Sequence, residues 1–393
     1  MSQRSPRARA VRRALRDALA VVAGFGLRTW YRLMDLFPRS RRKVVFLSRQ
    51  SDSIPPDFEL LIEALRKRFP DVRVAAVGSR FNPDTAGPTD YLWFGFAMLR
   101  SLYHLATSKV AVLDAYWPAV SMVDLSPSIT VFQMWHSLGK IKKSGLATVG
   151  REHGRTKEAA EAFAMHQGYD FVVAGAPFWN QYYVESFGVS QQQLLNIGLP
   201  RAAYLVNERE AIAKRIYAAY PELKEGRTVL YAPTFRRGGG AAFGARRIVN
   251  NLSKDGWTVI VKGHANQALL APEKSFLDCP DFTAPELLTV ADYLVTDYSA
   301  IALEAALLDV PTYYYLYDID EYLKKNGLNI DIEKEMPGCT YRKVRSLRKA
   351  MRRPYPVQVL QSYKSKYALA EPEKATDALV DALFEQGGLC QKG

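Results

Sequence analysis

The sequence predicts an α/β chain folded as two parallel-sheet domains in tandem. Three observations carry this expectation. The chain has 393 residues, too many for one ordinary core. Short apolar runs rich in Val, Ile and Tyr alternate with helical patterns. That alternation begins again after Pro200. The runs are apolar throughout, as expected of parallel strands covered on both faces.

KVVFLS (43–48) reads as the first strand, 57–69 as a helix and VRVAAV (72–77) as the second strand. KVAVLDA (109–115), SITVFQMW (128–135) and DFVVAG (170–175) complete the first set. A hydrophilic, helix-like stretch, 207–220, separates the halves. TVLYAPTF (228–235), WTVIVKGH (257–264), DYLVTDYS (292–299) and PTYYYLYD (311–318) form the second set, with helices near 242–253 and 299–308. The expected organisation is a head over 1–42, Rossmann-like domains over 43–206 and 207–345, and a helical tail over 346–393. No internal repeat or Gly-rich dinucleotide motif interrupts this plan.

Cys279, Cys339 and Cys390 have neither Cys-x-x-Cys nor His spacing, which argues against a disulfide framework or a structural zinc site. A reducing compartment is expected, and no metal. The net charge of +13 is unevenly placed. Residues 1–43 hold twelve basic and two acidic side chains, leaving 41 against 38 for the rest. In this head Leu15, Leu19, Val22, Trp30, Leu33 and Phe37 fall on one helical face, with Arg9, Arg13, Arg16, Arg28 and Arg32 around the remainder. A basic amphipathic helix with an aromatic residue beside its apolar stripe suits an anionic membrane surface. The apolar stretch is too short to span a bilayer and lacks a small-x-small cleavage site. The alternatives are a helix docked on the protein's own body, a targeting segment, or a nucleic-acid contact.

Open α/β sheets bind ligands beyond the carboxyl ends of their strands, and several polar clusters stand there. Asp297 to Ser299, in VTDYSAIALEAALL, is expected at a strand-to-helix junction with Ser299 as the helix cap. The N–H groups of such a junction can hold a phosphate oxygen. Arg236 ends YAPTFR, and Lys262 and His264 end VIVKGH. Cations at these strand ends would compensate a diphosphate without a metal. In the first half, QMWHSLGKIKKSG (133–145) puts His136 at a strand end. An imidazole there can take a proton from a hydroxyl, while Lys140, Lys142 and Lys143 attract phosphate. For each cluster the bland alternative is an ordinary cap, a surface charge or a satisfied core histidine, which is the default for His104, His153 and His166.

The ordered set WHSLGKIKKSG, GLPRAAYL (198–205), LYAPTFR (230–236), VKGH (261–264), ADYLVTDYSAIALEAALLDVPTYYYLYDIDEY (291–322) and NIDIEKEMPG (329–338) resembles the CDP-glycerol glycerophosphotransferase family over roughly residues 43–390. The resemblance implies a GT-B fold, two Rossmann-like domains facing a cleft with the donor held mainly by the second. It also implies a metal-independent reaction without a cofactor, at the cytoplasmic face of the membrane. In that reaction a polyol phosphate passes from CDP-glycerol or CDP-ribitol to a lipid-linked polymer or glycolipid acceptor, and CMP is released. Carried onto this sequence, His136 matches the base and His264 its partner at the phosphates. Arg201, Arg236, Lys262, Thr296, Asp297, Ser299 and Ala300 match donor positions, and Trp135, Gly139, Lys140 and Lys143 lie on the acceptor side. Two departures stand out: the common Trp-His-Gly-Thr-Pro is here Trp135-His136-Ser137-Leu138-Gly139, and Ala265 follows His264 where Pro is usual. The competing readings are a glycosyltransferase or epimerase using a UDP- or GDP-sugar, and a non-catalytic membrane-bound binding module.

Overall fold

A computed structural model describes residues 24–81, 86–234, 236, 240–263 and 276–389. The expected membrane residues Arg9, Arg13 and Arg16, the apolar residues Leu15, Leu19 and Val22, and His264 lie outside the described residues.

Two all-parallel sheets organise the chain. The first contains β1 (Ser40–Ser48), β2 (Arg73–Gly78), β3 (Ser108–Leu113), β4 (Thr130–Gln133), β5 (Phe171–Ala174) and β6 (Leu194–Asn196), in the order β2-β1-β3-β4-β5-β6. The second contains β7 (Arg227–Tyr231), β8 (Trp257–Val261), β9 (Tyr293–Thr296), β10 (Thr312–Tyr315) and β11 (Thr340–Tyr341), in the order β11-β10-β9-β7-β8. Val44 to Leu47 and Val110 to Leu113 are fully buried, as an uninterrupted apolar strand between two helical layers must be.

Counted within its own half, each sheet follows the same winding: the second strand pairs with the first, and the first with the third. Chain direction across the sheet therefore reverses between β1 and β3, and again between β7 and β9. Such a reversal opens a crevice past the strand ends. Asp114 follows β3 and Asp297 follows β9, so the two aspartates occupy equivalent corners.

Helices Pro200–Asn207 and Arg209–Ala219 carry the chain from one sheet to the other. The final helices do not trail behind the second sheet. Helix Ala375–Glu385 returns to pack on helices Pro56–Arg68 and Pro200–Asn207, and Phe384 stacks on Phe69 with ring centroids 3.5 Å apart. Trp179 in the first half donates its indole N–H to the Tyr367 carbonyl at 2.9 Å, which fixes helix Val357–Tyr367 to the same half.

Of the head, residues 24–34 form a helix. It docks on the body: Tyr31 is buried and accepts the Ser126 N–H at 2.9 Å, Arg28 donates to the Met122 carbonyl at 3.2 Å, and Trp30 donates to the Leu99 carbonyl at 3.2 Å. The docking leaves Leu33 and Phe37 exposed. No described helix is long and apolar enough to cross a membrane.

Candidate active site

His136 stands just past β4, on a corner made by Trp135, whose φ of 61° lies in the left-handed region. A bulky non-glycine residue adopts that region only where its surroundings hold it. Gln133 supplies one restraint, accepting the Trp135 N–H at 3.0 Å while its own amide donates to the Ala115 carbonyl at 3.1 Å. Lys140 supplies another. Its ammonium lies 4.5 Å from the Trp135 ring centroid, 4.3 Å from that of Phe187 and 5.3 Å from that of Tyr183, and donates to the Ser144 hydroxyl. Lys140 is 2% exposed. Sequence placed it on the acceptor side as a phosphate attractor; the structure turns it inward, into an aromatic box. Burial there lowers its pKa well below the usual lysine value.

The His136 ring has a fixed orientation. Its Nδ1 lies 2.8 Å from the backbone carbonyl oxygen of Asp114. A carbonyl only accepts, so Nδ1 carries the proton and Nε2 is left with its lone pair. The ring is half-buried, and that burial pushes its pKa down to about 3. The nearby charges of Lys140, Arg201 and Lys142 push the same way, against the Asp114 hydrogen bond. His136 is thus a neutral acceptor at physiological pH. Asp114, at the β3 corner, accepts from the Ser48 hydroxyl and from the Arg49 backbone N–H at 3.1 Å. Burial nevertheless raises its carboxyl to about 6.

At the equivalent corner of the second sheet, Asp297 accepts from the backbone N–H groups of Thr234 at 2.8 Å and Tyr298 at 2.5 Å and pairs with Arg236 at 2.7 Å. Arg236 also forms a bidentate pair with Asp318, at 2.6 and 2.9 Å, and donates to the Thr234 carbonyl. The rings of Tyr298, Tyr317 and Tyr322 surround its guanidinium at 5.3 to 5.7 Å. Coulomb attraction to the carboxylates outweighs desolvation and raises its pKa further. Sequence aimed Arg236 at a phosphate; the structure makes it the buried strut of the corner.

Three more expected donor residues take other places. Thr296 is fully buried and donates to the Ala232 carbonyl at 2.7 Å, tying β9 to the end of β7. Lys262 donates to the Cys279 carbonyl at 3.0 Å. Ser299 does not cap the next helix, Ile301–Leu307; Ala300 holds the capping position, without a side-chain bond, and the Ser299 carbonyl accepts the Ala302 N–H at 3.4 Å.

The two corners are clasped together. Arg201 reaches the His136 carbonyl at 3.1 Å, pairs with Glu304 of helix Ile301–Leu307 at 2.9 Å, and pairs with Asp57 of helix Pro56–Arg68. The resemblance put Arg201 in the Gly-x-Pro-Arg element at the domain junction, among the donor residues, and its N–H groups make this clasp. Gly139 explains the close approach, since a Cβ there would lie 2.6 Å from both Leu303 and Trp179. Beyond it, Asn329 donates to the Lys140 carbonyl at 2.6 Å, its N–H bonds the Ile141 carbonyl, and Lys143 N–H bonds the Gly327 carbonyl at 3.2 Å. The loop that follows His136 is therefore pinned against the start of NIDIEKEMPG. Lys142 lies within electrostatic reach of Asp297 and Arg236. Burial lowers its pKa, an effect that attraction to Asp297 opposes and repulsion by Arg236 reinforces.

The other described histidines are satisfied locally: His104 by Lys43 at 3.0 Å, His153 by Asn326 at 3.1 Å, and His166 by Tyr169 at 3.0 Å. His166 also lines a cavity of about 600 Å³ with Leu146, Met165, Tyr169 and Phe187. Asp114, Asp318 and the tyrosines around Arg236 went unmarked in the sequence. Their one early signal was position, since Asp114 ends the third run as Asp297 ends the third run of the second set.

Comparison with known proteins agrees with this architecture. The chain is 30% identical over 332 residues to the teichoic acid ribitol-phosphate primase of Bacillus spizizenii, covering 81% of this chain and 84% of that one. The wall teichoic acid polymerase TagF superposes with a TM-score of 0.70 at 19% identity, over 98% of this chain and 99% of that one. A UDP-GlcNAc 2-epimerase from Neisseria meningitidis superposes at 0.55 and 11% identity, over 87% and 99%, which places the fold among GT-B-like α/β arrangements. The family model described as CDP-glycerol:poly(glycerophosphate) glycerophosphotransferase matches residues 30–385, and the chain belongs to that family.

Proposed function

We propose that the protein transfers a polyol phosphate, glycerol phosphate or ribitol phosphate, from a CDP-activated donor to a membrane-bound acceptor in the synthesis of a teichoic-acid-like or capsular polymer. CMP is the leaving product. Family membership supports the reaction class, while the family description and the Bacillus relative differ in the polyol.

The observation that carries the proposal is the imidazole of His136, held in one tautomer on the first half, with its backbone carbonyl joined through Arg201 to Glu304 in the helix that follows the Asp297 corner. Its Nε2 takes the proton of the acceptor hydroxyl, whose oxygen attacks the β-phosphorus of the donor. The bond between that phosphorus and the bridging oxygen breaks, and CMP departs with the electron pair. A fixed, neutral base costs no reorganisation at the moment of transfer. Lys142 stands within electrostatic reach of Asp297, His264 and Ser299 belong to the donor side, and Lys143 to the acceptor side. Arg236 and Arg201 act by holding the two corners. Binding is peripheral, at the cytoplasmic membrane face, with the basic head of residues 1–42 against anionic lipid.

The test is CMP release, measured by chromatography, from CDP-glycerol and from CDP-ribitol with a lipid acceptor. Release from one of them, abolished in His136→Ala, is expected. Turnover of a UDP- or GDP-sugar instead, or no release with any acceptor, would replace the proposal with the epimerase-like or the binding-module reading.

A further inference from the structure

Positive charge in the second half is gathered on one face. Between Glu335 and Glu371 the sequence has nine Lys and Arg and no carboxylate. Between Glu225 and Asp255 it likewise has no carboxylate. The fold sets these two stretches side by side, because helix Val344–Ala350 packs on helix Gly240–Leu252. Arg246, Arg247, Lys254, Arg345, Lys349 and Arg353 are left exposed there. The carboxylate in their midst, Asp255, is already held by Arg348 and Arg352, at 2.6 and 2.7 Å. Among the described residues no carboxylate pairs with any of the six. A surface that gathers cations in this way attracts a polyanion.

The face runs out from the candidate active site. Helix Gly240–Leu252 follows β7, so its first turns lie on the carboxyl-end side of the sheet, where Asp297 stands. Ring contacts trace the path. The Arg236 guanidinium lies 5.3 Å from the Tyr317 ring centroid, Tyr317 is 6.0 Å from Phe243, and the Arg247 guanidinium is 4.6 Å from Phe243. Gly244 permits the approach, since a Cβ there would lie 2.8 Å from Tyr317. From Phe243 to Lys254 the helix rise spans roughly 16 Å, longer than one phosphate group can fill.

Composition indicates the occupant. A segment lying in a headgroup layer needs apolar side chains beside its basic ones. From 244 to 356 the one exposed large apolar side chain among the described residues is Leu323, on helix Ile319–Lys325. Single-stranded nucleic acid is held by stacking its bases on aromatic rings, and Phe243, the exposed ring here, is covered by Arg247. These features fit a chain of repeated phosphates with neither bases nor lipid tails. A polyol-phosphate polymer is such a chain.

We propose that the outward faces of helices Gly240–Leu252 and Val344–Ala350 form a binding track for an anionic polyol-phosphate chain. Repeats already joined lie along the arginines and lysines while the terminal hydroxyl is presented at His136. The proposal rests on the transferase reading, and its test separates the two.

Soluble poly(glycerol phosphate), freed of lipid, is titrated by calorimetry into the full-length chain and into the triple variant Arg246→Gln, Arg345→Gln, Lys349→Gln. All three side chains are exposed, so the variant is expected to keep its melting temperature. A control variant, Lys67→Gln, Arg209→Gln, Lys214→Gln, removes the same charge from exposed positions elsewhere. Affinity is expected to fall at least ~10-fold in the first variant, with a flatter dependence on salt, and to stay near the parent in the control. The single reversal Lys349→Glu repeats the comparison at one exposed residue and should weaken binding in the same direction. CMP release to a short acceptor carrying one polyol phosphate should be unchanged in all of them, and this assay reports on the transferase reading alone. Undiminished affinity in the first variant, or equal weakening in the control, would overturn the proposal. So would tighter binding of single-stranded RNA than of the polymer, or lost sedimentation with phosphatidylglycerol vesicles at unchanged polymer affinity. Those results would make the face a nucleic-acid or a lipid contact.

Discussion

The corners at Asp114 and Asp297 occupy the same place in two sheets of the same winding, yet they do different work. At the first, Asp114 receives a hydroxyl and a backbone N–H, and its own carbonyl orients an imidazole. The described groups bonded to its carboxylate include no guanidinium, and burial raises it to about 6. At the second, Asp297 is paired with Arg236, which is shared with Asp318 and enclosed by tyrosines. One winding thus yields a mount for a neutral imidazole in one half and an ion-paired floor in the other. Chemistry resides in the residues set at the corner and not in the fold that makes the corner.

The difference can be broken from either side, and the largest effect belongs to the base. His136→Ala is expected to lower turnover by ~10²- to 10⁴-fold, with donor affinity, read by calorimetry, retained. Equal loss of both would make His136 part of the donor floor and erase the contrast.

On the other side, Arg236→Ala leaves the buried Asp297 and the half-buried Asp318 without their guanidinium, and breaking a buried ion pair typically costs about 3 to 5 kcal/mol. Its effect should appear as a lower unfolding midpoint in urea, whereas His136→Ala should unfold close to the parent. Arg236→Lys should rescue only part of this, because a single ammonium cannot reproduce the fork that meets Asp318.

The junction between the corners gives a smaller effect. In Gly139→Ala the added methyl must displace Leu303 and Trp179, an overpacking of about 1 to 3 kcal/mol. Because those side chains come from different halves, turnover should fall along with stability. A variant that loses stability at full turnover would show that the halves need not close for transfer.

Acid sensitivity should be smaller again. Burial pushes His136 and His166 down to about 3 and His104 down to about 4, from an ordinary 6.5. Each therefore contributes stability that is complete above 6.5 and lost as pH falls toward those lower values. Asp114, raised from 3.8 to about 6, acts oppositely: its contribution is present below 3.8 and lost as pH rises through 6. Glu304, also raised by burial, adds to Asp114, while Asp255, Glu333 and Glu335, lowered by their arginine and lysine partners, add to the histidines, so the melting temperature is expected to fall between pH 6.5 and pH 4. A rise over that interval would contradict the burial assigned to these rings.

Lys140→Met makes the finest distinction. Replacing a caged ammonium with an apolar chain should leave stability nearly unchanged or improved. It also removes a cation that depresses His136, so the acid limb of the pH–rate profile should move to higher pH. A purely structural Lys140 would leave that limb in place.

Much of the fold was legible because each buried parallel strand is an apolar run with a polar residue where it ends. β6 and β11, of three and two residues, are too short to leave such a pattern. The return of helix Ala375–Glu385 was hidden as well, since an apolar helical face does not reveal which surface it covers. In the site, His136 was legible from its strand end. The partners of Lys140, Arg201 and Arg236 were hidden for one reason: a cation past a strand end looks solvent-facing until its partners are known. Those partners lie far away in sequence, at Tyr183 and Phe187, at Asp57 and Glu304, and at Asp318.

The central claim is that the base of one half and the donor corner of the other form one site. With five histidines in the chain, ¹⁵N-detected imidazole spectra, assigned by loss of a signal in His136→Ala, test it directly. The His136 ring should show a protonated Nδ1 and an unprotonated Nε2 at neutral pH, and its signals should shift when the CDP-activated donor is added without acceptor. A His136 signal that ignores a saturating donor, or that reports a proton on Nε2, would contradict the account.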